Sequence, residues 1–542
     1  MFRTTTASKA WSAALAAALS TGMPVFAAKA KIDMRESAPN DESPVRAEIV
    51  DKNQQQGEVE IAANLANDAN PAENPRVELP AALSDAKRPP DKRAAGKINL
   101  AQMATFALPS DAARGTSGGP PRPVTQFLQY QYSYGSESDI TYRRDPDLNQ
   151  AVRDNSLILA PQVNGYVIYR PSNALEFMLE MMLEREIATQ EEPIVMLPNG
   201  ETQVAQKRST SLLIDQAFVR FKTLGPFDVT LGRRNFEDDR HWLYDTSLDA
   251  IFARTRQGSF IVELTAARKD RWDLDLLKKT PTGHIDNYML YVDYRGIEDI
   301  KLAGYTIYSH DNAGKEGHPR HMGVRAYGMP SDKFNFWSEL AFLRGKDELQ
   351  RDFSAYAVDF GGTYRFTEHS LRPSITLGYA YGSGDGNPND NTNQEFRQTG
   401  LQSNEVKSAN VSKFKYYGEV LDPDLSNIRI LTADFSFRPA QNIFIDLVYH
   451  QYRLNEIADE VRNWALTAQM NQVDTHLSKE VGKAFDIVLG FRNVFGVRRF
   501  GIDLRAGWFF PGKAFLRNDG DEENPDIRNA DKGISVLAKF WW

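Results

Sequence analysis

Asp446 and His450 have the types and spacing of an acid–base pair. They are four residues apart, and on an extended chain such residues share a face. A carboxylate placed there would orient the imidazole as a general base. No nucleophile accompanies them. Gly382-Ser383-Gly384-Asp385-Gly386 is not a nucleophile elbow, because the serine would have to be the middle residue of G-x-S-x-G. There is no HExxH. The plainer reading makes both residues polar groups facing the inside of a barrel, and no enzyme is expected. Metal patterns are incomplete too. Asp385-x-Asn387-x-Asn389 begins like a calcium loop, but Asp390 stands where glycine is needed and Phe396 where the bidentate glutamate belongs. Asp519, Asp521, Glu522, Glu523 and Asp526 form an acidic run that reads as a solvated outer loop. No metal and no cofactor is expected.

The elements that must position these residues are strands. From Pro123 onward apolar and polar residues alternate in segments of roughly ten residues, the length of a tilted transmembrane strand. About eighteen such segments are legible. They begin with 123–134, 156–169, 174–187 and 209–222, and end with 442–452, 479–492, 500–510 and 533–542. Their connections alternate in length. Tight turns such as Pro171-Ser172-Asn173, Gly225-Pro226 and Pro439-Ala440-Gln441 are interleaved with polar loops at 135–155, 188–208, 382–426 and 453–478. An antiparallel outer-membrane barrel has this asymmetry, with both termini periplasmic. Alternation also assigns faces. Ile502, Leu504, Ala506 and Trp508 are expected toward lipid, leaving Asp503 and Arg505 inside. Ile443, Ile445, Leu447 and Tyr449 oppose Asp446 and His450. Val229 and Leu231 oppose Gly232 and Arg234, and Ser535 and Lys539 face in from the last strand. A charge on the lipid face at mid-bilayer costs roughly 2–4 kcal/mol, so the charged partners belong in the lumen.

Composition agrees. A net charge of −8 argues against a nucleic-acid binder. The absence of cysteine excludes a disulfide scaffold, a thiol nucleophile and a thiolate metal site. A mean hydropathy of −0.49 suits a barrel, in which only every second strand residue meets lipid. Residues 1–27 read as a secretory signal, with Arg3 and Lys9 before an Ala/Leu-rich run too short to span a bilayer. Residues 28–122 are rich in proline and polar residues and nearly free of aromatics, so a disordered periplasmic tail is expected: a linker, or alternatively a plug for the lumen. Residues 123–542 form the barrel.

Several stretches resemble the alginate export porins. They are Tyr379-Ala380-Tyr381-Gly382-Ser383-Gly384, the run from Glu395 to Asn404 (EFRQTGLQSN), Leu425-Ser426-Asn427 and Leu447-Val448-Tyr449-His450, with weaker matches from Gln126 to Trp542. The resemblance implies an 18-stranded outer-membrane barrel that exports an anionic polysaccharide through a lumen narrowed by arginines and a few carboxylates. Carried over by local motif, Asp245 and Asp273 fall at pore carboxylates, with Arg271 beside the latter. Lys413 and Arg505 fall at arginine places, and Arg234 stands one residue before another. Asp215, Glu405 and Asp503 also fall at arginine places, and one more falls near Ala160. The implied ring is mixed in sign. The pore-lining set is therefore Arg234, Asp245, Arg271, Asp273, Lys413, Asp446, His450, Asp503 and Arg505. The expected partners are an anionic polysaccharide or oligosaccharide, outer-membrane lipid and lipopolysaccharide, and periplasmic secretion components, with the protein monomeric. The alternative is a diffusion or uptake porin for small solutes or oligosaccharides.

Overall fold

The computed structural model describes residues 130–148, 155–196, 202–269, 271, 275–279, 283–407, 412–463, 465, 466, 468, 470, 477–515, 517, 518, 527, 528 and 532–541. The expected signal segment 1–27 and tail 28–122, together with Asp273, the acidic run 519–526 and Trp542, lie outside the described residues.

The chain forms an 18-strand closed antiparallel β-barrel. Its strands are β1 (Tyr130–Arg144), β2 (Ser156–Ser172), β3 (Leu175–Met196), β4 (Thr202–Leu224), β5 (Phe227–Glu237), β6 (Asp245–Gln257), β7 (Phe260–Arg268), β8 (Ile285–Ile297) and β9 (Ile300–Asp311). They continue with β10 (His318–Ser331), β11 (Phe334–Lys346), β12 (Ala355–Arg365), β13 (Ser374–Gly382), β14 (Ile428–Ala440), β15 (Ile443–Leu454), β16 (Glu480–Arg492), β17 (Gly501–Pro511) and β18 (Gly533–Trp541). Each pairs with its neighbours in sequence. β1 closes the sheet against β18, with Asp139 opposite Lys539 on one side and Ala160 on the other. Closure pairs the first strand with the last, which is what a hydrocarbon surround demands of a sheet.

Tight turns and long loops alternate as expected, and both ends of the barrel sequence sit at the tight-turn end. Two boundaries differ from the expectation. The first strand runs on to Arg144, where a loop from residue 135 was expected. In 135–144 the charged Glu137, Asp139 and Arg143 fall on one face, half-buried on the inside beside β18. β3 and β4 extend through most of the expected loop 188–208, reaching Met196 and starting again at Thr202.

The outer face carries the exposed apolar side chains. Val163, Ile251, Val324 and Leu377 are each more than half exposed. In water such a surface is an aggregation liability. Around a barrel it is the lipid contact, bounded by aromatic pairs such as Tyr356 and Tyr381, with ring centres 5.4 Å apart, and Phe260 and Tyr294, 4.8 Å apart.

Candidate functional site

The lumen is divided into a packed side and a polar side. The packed side is made by the connection 383–427, which turns inward. It carries Phe396, Phe414, Tyr416, Tyr417, Leu421 and Leu425, all buried. A fully buried side chain of this kind contributes about 1.5–3 kcal/mol relative to exposure, which favours folding the loop in over leaving it extended. Trp242 from the β5–β6 connection meets it, ring centre 6.2 Å from that of Phe396. Trp242 Nε1 donates to Tyr417 Oη (3.1 Å), Tyr417 Oη donates to Asp359 on β12 (3.0 Å), and Tyr452 Oη donates to the Tyr417 carbonyl (2.8 Å). Gly418 is the close approach that permits this: its φ is +112, and a Cβ there would lie 2.1 Å from Tyr452 Oη.

Buried charges on this side are matched. Arg325 lies 2.8 Å from Asp238 and 2.6 Å from Glu339. Arg240 lies 3.1 Å from Asp359, its guanidinium 4.1 Å from the Trp337 ring and 4.4 Å from that of Tyr416. Desolvated charges require such partners. Arg234 also belongs here, inward-facing and stacked 3.9 Å over Phe252 and 4.7 Å over Phe236. Asp446 and His450 face inward but are sealed. Asp446 accepts from Ser436 (2.7 Å), not from His450. His450 lies between Thr432 (3.0 Å) and Asp486 (3.2 Å), beneath Gly418. The acid–base pair that the spacing of Asp446 and His450 could have made is not formed, and the carboxylate near His450 is Asp486. Asp486 reaches it diagonally across the sheet, since it opposes Val448 on the next strand, two residues from His450.

The hairpin β5–β6 leaves the wall. At Gly232 (φ +121) a Cβ would lie 2.3 Å from the Ala217 carbonyl, and pairing of β4 with β5 ends at Arg233. Above that point β4 bonds instead to Asp275 and Leu276 of the β7–β8 connection. The freed hairpin tip crosses to β10 and β12 through Asp238 and Arg240, and its Asp245 amide donates to the Leu401 carbonyl (2.7 Å).

The polar side lies along β1–β4 and β16–β18. Its inward side chains are half-buried and charged: Glu137, Asp139, Glu180, Asp215 and Lys539 from the wall, and Glu237 and Asp245 from the hairpin. Lys407, exposed, and Lys413, half-buried, come from the short strands 405–407 and 413–415 of the inward loop. Lys539 bridges Glu137 (2.6 Å) and Asp139 (3.7 Å). Arg505 meets Glu405 (3.1 Å) and Glu419 (3.7 Å), and Asp503 meets Arg492 (2.9 Å) and Ser412 (2.6 Å). Asp245 lies 2.8 Å from His241 Nδ1 and accepts from Ser403 (2.6 Å). Asp215 accepts from Ser247 (2.8 Å). Both signs are present along this surface, with carboxylates the more numerous.

Of the residues expected at the pore, Asp245, Lys413, Asp503 and Arg505 are brought together on the polar side. Arg234, Asp446 and His450 are on the packed side. Arg271 stands apart, exposed in the β7–β8 connection, where its amide donates to Asp249 (2.7 Å). Asp385 of the calcium-like segment is engaged by Arg351 (3.3 Å) and by the Asn387 amide (3.2 Å). The sequence reading missed Glu137, Asp139, Glu180, Trp242, Tyr417 and Glu419. Charges on one face at 137, 139 and 143 signalled the first two, and aromatics inside loops otherwise polar signalled Trp242 and Tyr417.

The inward loop holds strained acids. Withdrawal from water pushes the Glu419 carboxyl up to about 7, against the pull of Arg505. It pushes Asp422 and Asp424 up to about 6, although Lys415 lies 3.2 Å from Asp422 and Gln402 donates to Asp424 (2.6 Å).

Residues 123–528 match the alginate export family. The alginate production protein AlgE of Azotobacter vinelandii is 25% identical over 187 residues, 32% of this chain and 37% of that protein, so the chain matches well under two thirds of that relative's length. Among solved structures, Pseudomonas aeruginosa OccK7 (OpdD) aligns with a TM-score of 0.45 at 12% identity, over 76% of this chain and 99% of that one. Pseudomonas aeruginosa OpdQ aligns with a TM-score of 0.46 at 10% identity, over 76% and 99%.

Proposed function

The chain belongs to the alginate export family, and from that premise we propose that it is an outer-membrane channel through which an anionic, alginate-like exopolysaccharide leaves the cell. The observation that carries this reading is the match of residues 123–528 to the alginate export family, on a barrel whose lumen presents cationic side chains among its carboxylates. Lys407, Lys413 and Lys539 lower the barrier to a polyanion entering, and the carboxylates beside them keep each contact weak enough to release. Passage uses the polar side, while the packed side narrows the lumen. The tight-turn end faces the periplasm, where secretion components deliver the polymer, and lipid and lipopolysaccharide surround the outer face. The closed sheet works as a monomer and carries out no covalent chemistry on its cargo.

Single-channel current tests this. An oligouronate added from the tight-turn side should block current reversibly, and changing Lys407 and Lys413 to Glu should shorten the blocks several-fold. Equal block by oligouronate and by neutral dextran of the same length would refute polyanion export. A second reading is supported by the inward loop, which leaves only part of the lumen for passage: a diffusion or uptake porin for small solutes or oligosaccharides. Rapid liposome swelling in small sugar acids, with no polymer block, would favour it.

A further inference from the structure

We propose that Glu237, His241 and Asp245, at the tip of the β5–β6 hairpin on the polar side, form a binding site for one first-row divalent cation of the Zn2+ type. The three ligand atoms already lie within 4.8 Å of one another. One imidazole nitrogen with two carboxylate oxygens is a donor set for such ions rather than for Ca2+ or Mg2+, which take oxygen alone.

The site is part built and part adjustable. His241 is buried, with φ +52, and its carbonyl accepts from the amides of Ser403 (3.2 Å) and Asn404 (3.1 Å), so its backbone is fixed on the inward loop. Its Nδ1 is 2.8 Å from Asp245 Oδ2. Two ligand atoms on a tetrahedral Zn2+ stand ~3.3 Å apart, so that pair need open by only about 0.5 Å. Glu237 faces Asp245 across the hairpin. Its carboxylate takes no hydrogen bond and no ion pair among the described residues, unlike Asp245 and Asp215 beside it. A half-buried carboxylate left unpaired next to a His–Asp pair is what an incoming cation would engage. Opposing this, Lys407 and Lys413 of the inward loop place positive charge in the neighbourhood of Glu237 and Asp245. Both are on flexible stems at the lumen surface and can turn away.

Three protein ligands leave a coordination position open. Resting on the export reading, that position faces the corridor and takes a uronate carboxylate of the passing polymer. The ion also adds two positive charges to a surface of mixed sign.

Calorimetric titration of the full-length protein in detergent with Zn2+ tests the site without any polymer. Binding near one ion per chain is expected, with Ca2+ at least tenfold weaker. Glu237→Gln removes the charge of a carboxylate with no structural partner among the described residues and should weaken Zn2+ at least tenfold, and His241→Ala should do so further. No Zn2+ binding, or equal binding by wild type and Glu237→Gln, overturns the site. In a separate arm, Zn2+ should lengthen current block by oligouronate in wild type and not in Glu237→Gln. Zn2+ binding without that lengthening upholds the site and overturns its contact with the cargo.

Discussion

Arg325 and Lys539 each sit between two carboxylates inside the barrel, yet they stand in different surroundings. Arg325 lies between Asp238 and Glu339 with its side chain 4% exposed, held in a wall of buried aromatics. Lys539 lies between Glu137 and Asp139 with its side chain 28% exposed. In the first case removing one partner strands charges out of water; in the second water takes over. The packed side therefore spends its charges on holding the inward loop and the β5–β6 hairpin. The polar side keeps Lys539, Glu137 and Asp139 available to a solute. Lining a lumen and meeting what passes through it are thus separate roles, and inward direction alone does not assign the second.

The sharpest way to break this comparison is to delete the matched cations. Arg325→Ala should destabilise the packed side by about 3–5 kcal/mol, because Asp238 and Glu339 are left buried and unpaired. Conductance should rise as the hairpin and loop loosen. Lys539→Ala should cost about 1 kcal/mol or less. Thermal unfolding of both variants in detergent checks the pair, and equal shifts would dissolve the distinction. Next in size is Tyr417→Phe. It leaves Trp242 Nε1 and Asp359 without their hydroxyl partner, a loss of about 1–3 kcal/mol with larger open-state current fluctuations. A quiet, wild-type trace would show that the loop is held by its apolar contacts alone.

Selectivity probes the other side. Glu137→Gln with Asp139→Asn should move the reversal potential in a salt gradient toward anions, whereas Arg234→Gln should leave it unchanged, since Arg234 is stacked between Phe236 and Phe252. An equal response from Arg234→Gln would put that residue on the path. The smallest expected effect is that of pH. Glu419, Asp422 and Asp424 bind protons more tightly in the folded loop than at their ordinary values of 4.5 and 3.8. Raised carboxyl pKa values mean that the closed loop is favoured at low pH, and that this support is lost as pH rises through about 6 to 7. Mean conductance should increase modestly from pH 5 to pH 8, and Asp422→Asn with Asp424→Asn should flatten the increase. A decrease with rising pH would reverse the sign of the argument.

The sequence by itself determined the barrel. Alternation is a local property, and the cost of a charge in lipid forces one face of each strand inward whatever the rest of the chain does. Hence the inward placement of Asp503, Arg505, Asp446, His450 and Arg234 was legible, as was the order of tight turns and long loops. The extent of β1 was less so, because inner-face charges such as Glu137 and Asp139 look like loop residues until Lys539 is found opposite them. Only the tertiary structure decided which inward residues remain reachable. That depends on the loop 383–427 and the hairpin β5–β6 crossing the lumen. Their partners, Trp242 with Tyr417, Arg240 with Asp359 and His241 with Ser403, are more than a hundred residues apart. Such contacts are selected by the shape and burial of a shared interior, which no spacing along a single strand encodes.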